Sequence, residues 1–293
     1  MGTRSVVTTI GFIGLGAMGA PIASRLIDAG NSLRIWDQTP TAIQALARSR
    51  ATAVGSPDEA LSAEISFSML ADDEAAEAVL GGATLAPGRV HVNMASISPA
   101  AADRLAERFS AAGAFYIAAP VLGRPEAAAE GQLHLLVAGP AAQIEVVLPI
   151  LERVSKRIWR IGEQPSGANA VKVAVNYNLI HVMQALGESV AMIERRGIEP
   201  TLFVDVLTSS LFAGVAYSVY GAEIAARRYI PPAFTMALGY KDLGLARDLA
   251  DAGGVNAATM HALFAVFERA LSDPELAASD WGAIAEVTRR DLL

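Results

Sequence analysis

Along the first half of the chain, short apolar runs alternate with segments whose apolar residues recur at helical spacing. The runs at 6–13, 32–37, 51–54, 64–70, 89–94, 114–118 and 132–138 predict strands. Ala- and Leu-rich segments between them, such as 99–112 and 140–153, predict helices. Alternation of this kind predicts a parallel, doubly wound sheet. Ser56-Pro57-Asp58-Glu59 and Ser98-Pro99 place proline at the first helical position behind a capping serine.

The second half changes character. From Ser166 to Arg196 the pattern is helical without interruption, and it ends in Arg195-Arg196-Gly197, cations in the last turn followed by glycine. At 1.5 Å per residue such a helix spans about 45 Å, long enough to leave one domain and found another. Segments 200–210, 213–227, 235–252, 256–271 and 280–291 continue as helices, and no strand pattern recurs. The expectation is an α/β domain over 1–164 and an all-α domain over 165–293, with 165–196 as the connecting helix.

The first strand runs into Gly14-Leu15-Gly16-Ala17-Met18-Gly19, a G-x-G-x-x-G placed between a strand and a helix. The first glycine allows a tight turn, the second lets backbone approach a pyrophosphate, and the third lets helix pack on strand. The following helix, Ala17 to Ala29, offers free N–H groups and a partial positive charge. A second strand, Leu33-Arg34-Ile35-Trp36, ends in Asp37, where an acidic residue would meet an adenosine ribose. In this context the motif predicts a dinucleotide site, although glycines of this kind also serve as plain turns.

Composition narrows the partners. The chain has 293 residues, 53% of them hydrophobic and 18% charged, with a net charge of −7. Mean hydropathy is +0.37 and the isoelectric point about 5.2. This balance supports a sizeable core and argues against nucleic acid or an anionic membrane as partner. No cysteine is present, so disulfides, thiol nucleophiles and thiolate metal sites are excluded, and a cytoplasmic location is compatible. Met1-Gly2-Thr3-Arg4 lacks the apolar core of a signal peptide. The uncharged stretch 206–222 is diluted by Ser, Thr and Gly and reads as a buried helix, not a membrane span.

Hydride chemistry needs a proton partner. Lys172 sits early in the long helix with Asn176 four residues on, so both share one face. An apolar setting disfavours the charged form of a lysine and brings it toward the acid/base range. The competing reading is a lysine whose stem lies on the helix while its head reaches water. Lys241-Asp242 is a second candidate, against a solvated pair on an amphipathic helix. A third is the segment Ala119-Pro120-Val121-Leu122-Gly123-Arg124-Pro125, after strand 114–118. There Gly123 could present a backbone N–H and Arg124 could pair a carboxylate, or the segment is an ordinary loop. His91, His134, His181 and His261 are scattered, show no metal-ligand spacing and read as packing residues, so no metal is expected.

Together these motifs resemble the β-hydroxyacid dehydrogenase family, which includes 3-hydroxyisobutyrate dehydrogenase, tartronate semialdehyde reductase and the glyoxylate/succinic semialdehyde reductases. The resemblance runs over almost the whole chain. Gly11 to Ala23 is close to the family's cofactor motif, Asn93-Met94-Ala95-Ser96-Ile97-Ser98-Pro99 to its loop near the nicotinamide, and Ala119-Pro120-Val121 with Gly123 and Gly131 to its substrate loop. Lys172 and Asn176 match the catalytic lysine and the asparagine one turn on, and Phe234, Leu238, Lys241, Asp242 and Leu243 match a C-terminal motif.

The resemblance implies a Rossmann domain with a parallel sheet, a long interdomain helix and an all-α C-terminal domain like that of 6-phosphogluconate dehydrogenase. It implies an NAD(P)-dependent oxidoreductase acting on a small 3-hydroxyacid or semialdehyde, paired into homodimers or homotetramers. Gly14, Leu15, Gly16, Ala17, Met18, Gly19, Asp37, Gln38, Leu70, Ala71, Ser96 and Lys241 become the cofactor-binding candidates. Ser96, Leu122, Gly123, Arg124, Lys172, Asn176, Lys241 and Asp242 become the substrate candidates. Lys172 would exchange the hydroxyl proton and Asn176 would orient it or the substrate oxygen. Asp37-Gln38-Thr39 lacks the arginine of the NADP-using relatives, which favours NAD(H) over NADP(H).

Departures from the family pattern bear on the substrate. The usual Pro-Val-Ser-Gly-Gly reads Pro120-Val121-Leu122-Gly123-Arg124 here, Gln132 replaces a threonine, and Ala168 replaces a glycine. A glycine-x-proline in this loop also occurs in imine reductases, which usually replace the lysine that this chain keeps. Two alternatives to a hydroxyacid dehydrogenase therefore stand: an imine or neutral-carbonyl reductase, and a cofactor-binding protein without catalysis. Lys172 with Asn176 argues against the last.

Overall fold

The computed structural model describes residues 9–46 and 50–292. The chain divides into two compact units, Met1–Lys172 and Val173–Leu293. Residues 6–8 of the first predicted strand and Met1-Gly2-Thr3-Arg4 lie outside the described residues.

Among the described residues the first unit is built on a nine-stranded sheet: β1 (Thr9–Ile13), β2 (Ser32–Trp36), β3 (Ala51–Ala53), β4 (Ile65–Ser68), β5 (Val90–Asn93), β6 (Phe115–Ala118), β7 (Val121–Leu122), β8 (Leu133–Ala138) and β9 (Ser155–Gly162). The order is β3-β2-β1-β4-β5-β6-β8-β7, with β9 flanking β8. From β3 to β6 every pairing is parallel. This is the Rossmann arrangement, and its strands are apolar because helices cover both faces. Ile10, Phe12, Leu26, Ile35, Phe67 and Val92 are buried on one face. Leu80, Leu105, Phe109 and Tyr116 are buried on the other.

Beyond β6 the sheet departs from the parallel expectation. β8 runs antiparallel to β6 and to β7, and β9 runs parallel to β8. The sequence pattern did not reveal β7, which is two residues long, or β9. In β9 Lys156, Arg157 and Arg160 interrupt the apolar positions. Charges of this kind are what blunts an exposed edge strand against further pairing, so the feature that hides β9 suits its place.

The predicted caps are in place. Ser56 accepts from the Glu59 N–H and Ser98 from the Ala101 N–H, each with proline at the helix start. The predicted long helix runs Pro165–Glu194, and its chain turns away through Gly197 in a left-handed conformation (φ +74°).

The second unit is helical: Pro200–Ser209, Val215–Ala225, Met236–Ala252, Met260–Leu271 and Pro274–Ala277. A short 3-10 turn, Trp281–Ile284, leads into Ala285–Arg289, so the predicted last helix is two pieces. Met183, Ile224, Met236, Phe267 and Trp281 lie at its core. Gly239 is needed there, since a Cβ would stand 2.9 Å from the rings of both Phe267 and Trp281. Asp280, 3% exposed, accepts from the N–H groups of Ala233, Phe234 and Gly282 at 3.0 Å each. This staples the approach to helix Met236–Ala252, which Thr235 then caps. Among the described residues no helix is long and apolar enough to cross a membrane.

Candidate functional site

The strand order reverses at β1, which sits between β2 and β4. Open α/β sheets bind ligands outside the carboxyl ends of their strands at such a point. The glycine-rich loop leaves β1 there. Gly14 takes φ +87°, and a Cβ on it would stand 2.3 Å from the Met69 carbonyl oxygen. Gly19, the first residue of helix Gly19–Asp28, would bring a Cβ to 1.9 Å from the Gly14 oxygen. Gly16 meets nothing within 4 Å, so the loop is open on that side. Gly14 donates to Trp36 O and Met69 to Ile13 O, both at 2.9 Å, which ties the loop to β2 and β4.

No side chain caps helix Gly19–Asp28; the Ala20 N–H goes to Gly16 O at 3.0 Å and Pro21 carries none, so what the helix offers phosphate at this end is chiefly its dipole. Asp37, at the end of β2, has two further duties. Its Oδ2 accepts from the Leu15 N–H at 2.6 Å and its Oδ1 from the Thr39 N–H at 2.7 Å. The carboxylate thus braces the glycine loop, with lone pairs left for hydroxyls. Arg34 is directed elsewhere, to Ser62 Oγ at 2.9 Å. Gln38 and Ala71 are exposed and Leu70 half-buried, each directly beyond a strand end. These residues fit a dinucleotide: a glycine-rich backbone turn open at Gly16, a helix without a side-chain cap, and a carboxylate at the second strand. Among the described residues, no cluster of three His, Asp or Glu could hold a metal ion.

The loop after β5 carries Ser96, half-buried. Asn93 turns the chain, its Oδ1 accepting from the Ala95 N–H and its Nδ2 donating to the Tyr116 hydroxyl, both at 2.9 Å. Asp73 accepts from the Ser98 N–H at 2.7 Å and from its hydroxyl at 2.5 Å. Beneath lies His91, whose ring nitrogens each stand 2.9 Å from a serine hydroxyl, Ser66 and Ser68. Burial pushes its pKa from 6.5 down to about 3, so it is neutral, and the same burial raises that of Tyr116.

The segment after β6 runs through β7 into a turn at Gly123. Gly123 has φ +147°, and a Cβ there would stand 2.8 Å from Leu133 Cδ2. Leu122 is half-buried and lies opposite His134 in the antiparallel register. Arg124, half-buried, stands at the start of the short helix Pro125–Ala129.

Lys172 is half-buried near the start of the long helix. One turn before it, Asn169 donates to Ile97 O at 3.2 Å and so joins this helix to the Ser96 loop. Reading the chain for Lys172 and Asn176 missed Asn169, although 169, 172 and 176 share one face at spacings of three and four. Asp73 was missed too, since nothing in its spacing points to Ser98.

In the second unit, Asn176 donates to Asp242 Oδ2 at 2.5 Å, and Lys241 Nζ lies 3.0 Å from Asp242 Oδ1. Asp242 is 2% exposed and Asn176 6%. Lys241 and Asp242 are therefore no solvated pair, and the carboxylate fixes which way the Asn176 amide faces.

Residues 9–162 match the family described as the NAD binding domain of 6-phosphogluconate dehydrogenase. Residues 166–288 match that described as NAD-binding of NADP-dependent 3-hydroxyisobutyrate dehydrogenase. The chain belongs to the β-hydroxyacid dehydrogenase family. It is an NAD(P)-dependent dehydrogenase or reductase of the type acting on a CH–OH group. Among its relatives, an uncharacterised oxidoreductase of Bacillus subtilis (strain 168) is 38% identical over 81% of this chain and 85% of its own. The 2-hydroxy-3-oxopropionate reductase of Escherichia coli (strain K12) is 32% identical, over 84% and 86%. A solved structure of 3-hydroxyisobutyrate dehydrogenase from Mycobacterium tuberculosis with L-serine superposes with a TM-score of 0.85, at 28% identity, over 97% of this chain and 100% of that one.

Proposed function

We propose that this β-hydroxyacid dehydrogenase interconverts a small 3-hydroxyacid and its semialdehyde, with Lys172 as the general acid and base. The observation that carries the reading is the Asn169–Ile97 hydrogen bond, which brings the lysine-bearing turn to the loop of Ser96. Nicotinamide, when bound, accepts or supplies the hydride. In oxidation, neutral Lys172 takes the hydroxyl proton as the hydride leaves the substrate carbon. In reduction, its ammonium returns that proton to the carbonyl oxygen. Asn176, held by Asp242, orients the reacting oxygen, and Lys241 adds positive charge. The relatives' printed names support the substrate class: 2-hydroxy-3-oxopropionate and L-serine are both short acids with oxygen at carbon 3.

NAD(H) is the proposed cofactor, because Asp37 would repel a 2′-phosphate and Arg34 is held by Ser62. The family matching the helical half is described as NADP-dependent, so chain and family point different ways on this preference. A homodimer or homotetramer is the proposed assembly. Leu211 and Val215 are 87% and 76% exposed, and apolar surface of this kind marks interfaces.

For the acid, Arg124 is the proposed carboxylate partner, replacing contacts that Leu122 cannot make. A second reading rests on Leu122 itself: its apolar side chain in this loop suits a neutral carbonyl or imine. Arg124→Gln, assayed on a 3-hydroxyacid and on its methyl ester, separates the two. A rise in KM of about tenfold for the acid alone supports the ion pair, the size of a charge-assisted hydrogen bond. Equal small effects on both substrates shift the assignment to neutral carbonyls or imines.

A further inference from the structure

The loop 93–98 is held from several sides. Met94 donates to Ser68 O at 2.8 Å, Asn93 closes its own turn on Ala95, and Asp73 takes Ser98. The Ile97 carbonyl is taken by Asn169, across 72 residues of sequence.

Asn169 is 1% exposed. Its amide has one workable orientation, because the flipped form would aim Oδ1 at the Ile97 oxygen and set acceptor against acceptor. The orientation that satisfies Ile97 leaves Oδ1 buried and without a hydrogen bond. Burying an acceptor that way is unfavourable. An apolar residue of similar volume would fill the space without that penalty. What asparagine supplies here is the N–H toward Ile97, and that bond joins two segments the proposed reaction needs in register. One carries Ser96. The other, a single helical turn on, carries Lys172.

We propose that Asn169 is a positioning residue: its amide sets the depth and rotation of the Lys172 turn against the Ser96 loop, so that the proton and the hydride move from one substrate pose. The inference rests on Lys172 being the proton carrier. A misplacement of about 1 Å at a reacting group can cost about a hundredfold in rate, so a single tether can matter this much.

The test is a double-mutant cycle on the full chain. Asn169→Ala removes the tether, and Asn169→Leu removes it while keeping the volume should the alanine variant fold poorly. Each is made alone and with Lys172→Ala. Three readouts are taken: kcat, the dissociation constant of the reduced cofactor by fluorescence titration, and the urea midpoint. Asn169→Ala or Asn169→Leu alone is expected to lower kcat about 10- to 100-fold, with cofactor affinity nearly unchanged. In the Lys172→Ala background the same change is expected to lower the residual rate by no more than about threefold, because coupled groups are not additive.

Full multiplication of the two losses would overturn the proposal, since Asn169 would then act independently of the lysine. So would a loss of cofactor affinity that accounts for the fall in rate, or a loss of rate that follows the urea midpoint. If Lys172→Ala alone keeps more than about a tenth of the activity, the lysine assignment itself fails and the inference with it. That single variant distinguishes this failure from the others.

Discussion

In the first unit the positions that shape the ligand edge are glycines. In the second, the positions that tie the helices together are buried charges. A Cβ on Gly14, Gly19 or Gly123 would drive into backbone or a core leucine. Arg289, by contrast, has a side chain only 1% exposed and spans four acceptors. Its guanidinium meets both oxygens of Glu194, the Ile224 carbonyl at 2.7 Å and Glu286 Oε1 at 2.8 Å. Glu286 is fully buried and also takes the Tyr229 hydroxyl at 3.0 Å; burial first, and then the glutamate's charge, raise that phenol's pKa. The contrast teaches where each half is vulnerable. A ligand edge made of backbone fails when side chains are added, and a helical unit laced by charge fails when they are removed.

The largest stability effect should therefore come from the second unit. Arg289→Met removes the buried partner of Glu286 and Glu194, leaving Glu286 with Arg290 at 3.2 Å and both with longer contacts to the more exposed Arg227, and breaking a buried pair typically costs about 3–5 kcal/mol. Urea unfolding should report a loss of that size. A loss under about 1 kcal/mol, the worth of an exposed pair, would erase the contrast.

Acid should find the weakness of the first unit. His91 titrates near 6.5 when unfolded and at about 3 when folded. The unfolded chain binds the extra proton between those values, so the contribution is complete above pH 6.5 and is lost as pH falls toward 3. Between pH 7 and 5 this amounts to about 2 kcal/mol. His91→Gln should flatten that part of the pH dependence of unfolding. An unchanged slope would mean that the ring is charged or hydrated in the fold.

A smaller effect tests the cofactor edge. On the proposed preference, the wild-type chain should bind NADH about tenfold more tightly than NADPH, or about 1.4 kcal/mol, because a carboxylate at the end of β2 would repel a 2′-phosphate. Asp37→Asn should narrow the ratio, and weaken both cofactors, since the carboxylate also holds the Leu15 and Thr39 N–H groups. Fluorescence titration decides, and tighter binding of NADPH by the wild type would sink the assignment.

The difference between the units also explains what the sequence made legible. The glycine spacing, the strand runs and the long helix are local patterns, and each stands in the structure as an element of that type. Contacts that unite distant segments carry no such signature. Asp280 is 46 residues from the Phe234 N–H it holds, and Asp242 is 66 from Asn176. In both, a carboxylate that reads as a surface charge is buried by a fold that only the assembled chain defines. The edge strand β9 was hidden for a related reason: its outward charges mask the alternation. The role of Asn169 lay within reach, because its spacing to Lys172 and Asn176 was already on the helix face. Its partner, the Ile97 carbonyl, was not, since backbone acceptors leave no mark in a sequence.

Lys172→Ala, measured for kcat and for NADH affinity together, tests the central claim most directly. If the lysine carries the proton, kcat falls by about 10² to 10⁴, the usual worth of a general acid or base, while the dissociation constant of NADH stays nearly the same. A variant that keeps more than about a tenth of the activity, or one that loses rate only because it loses the cofactor, would contradict the account.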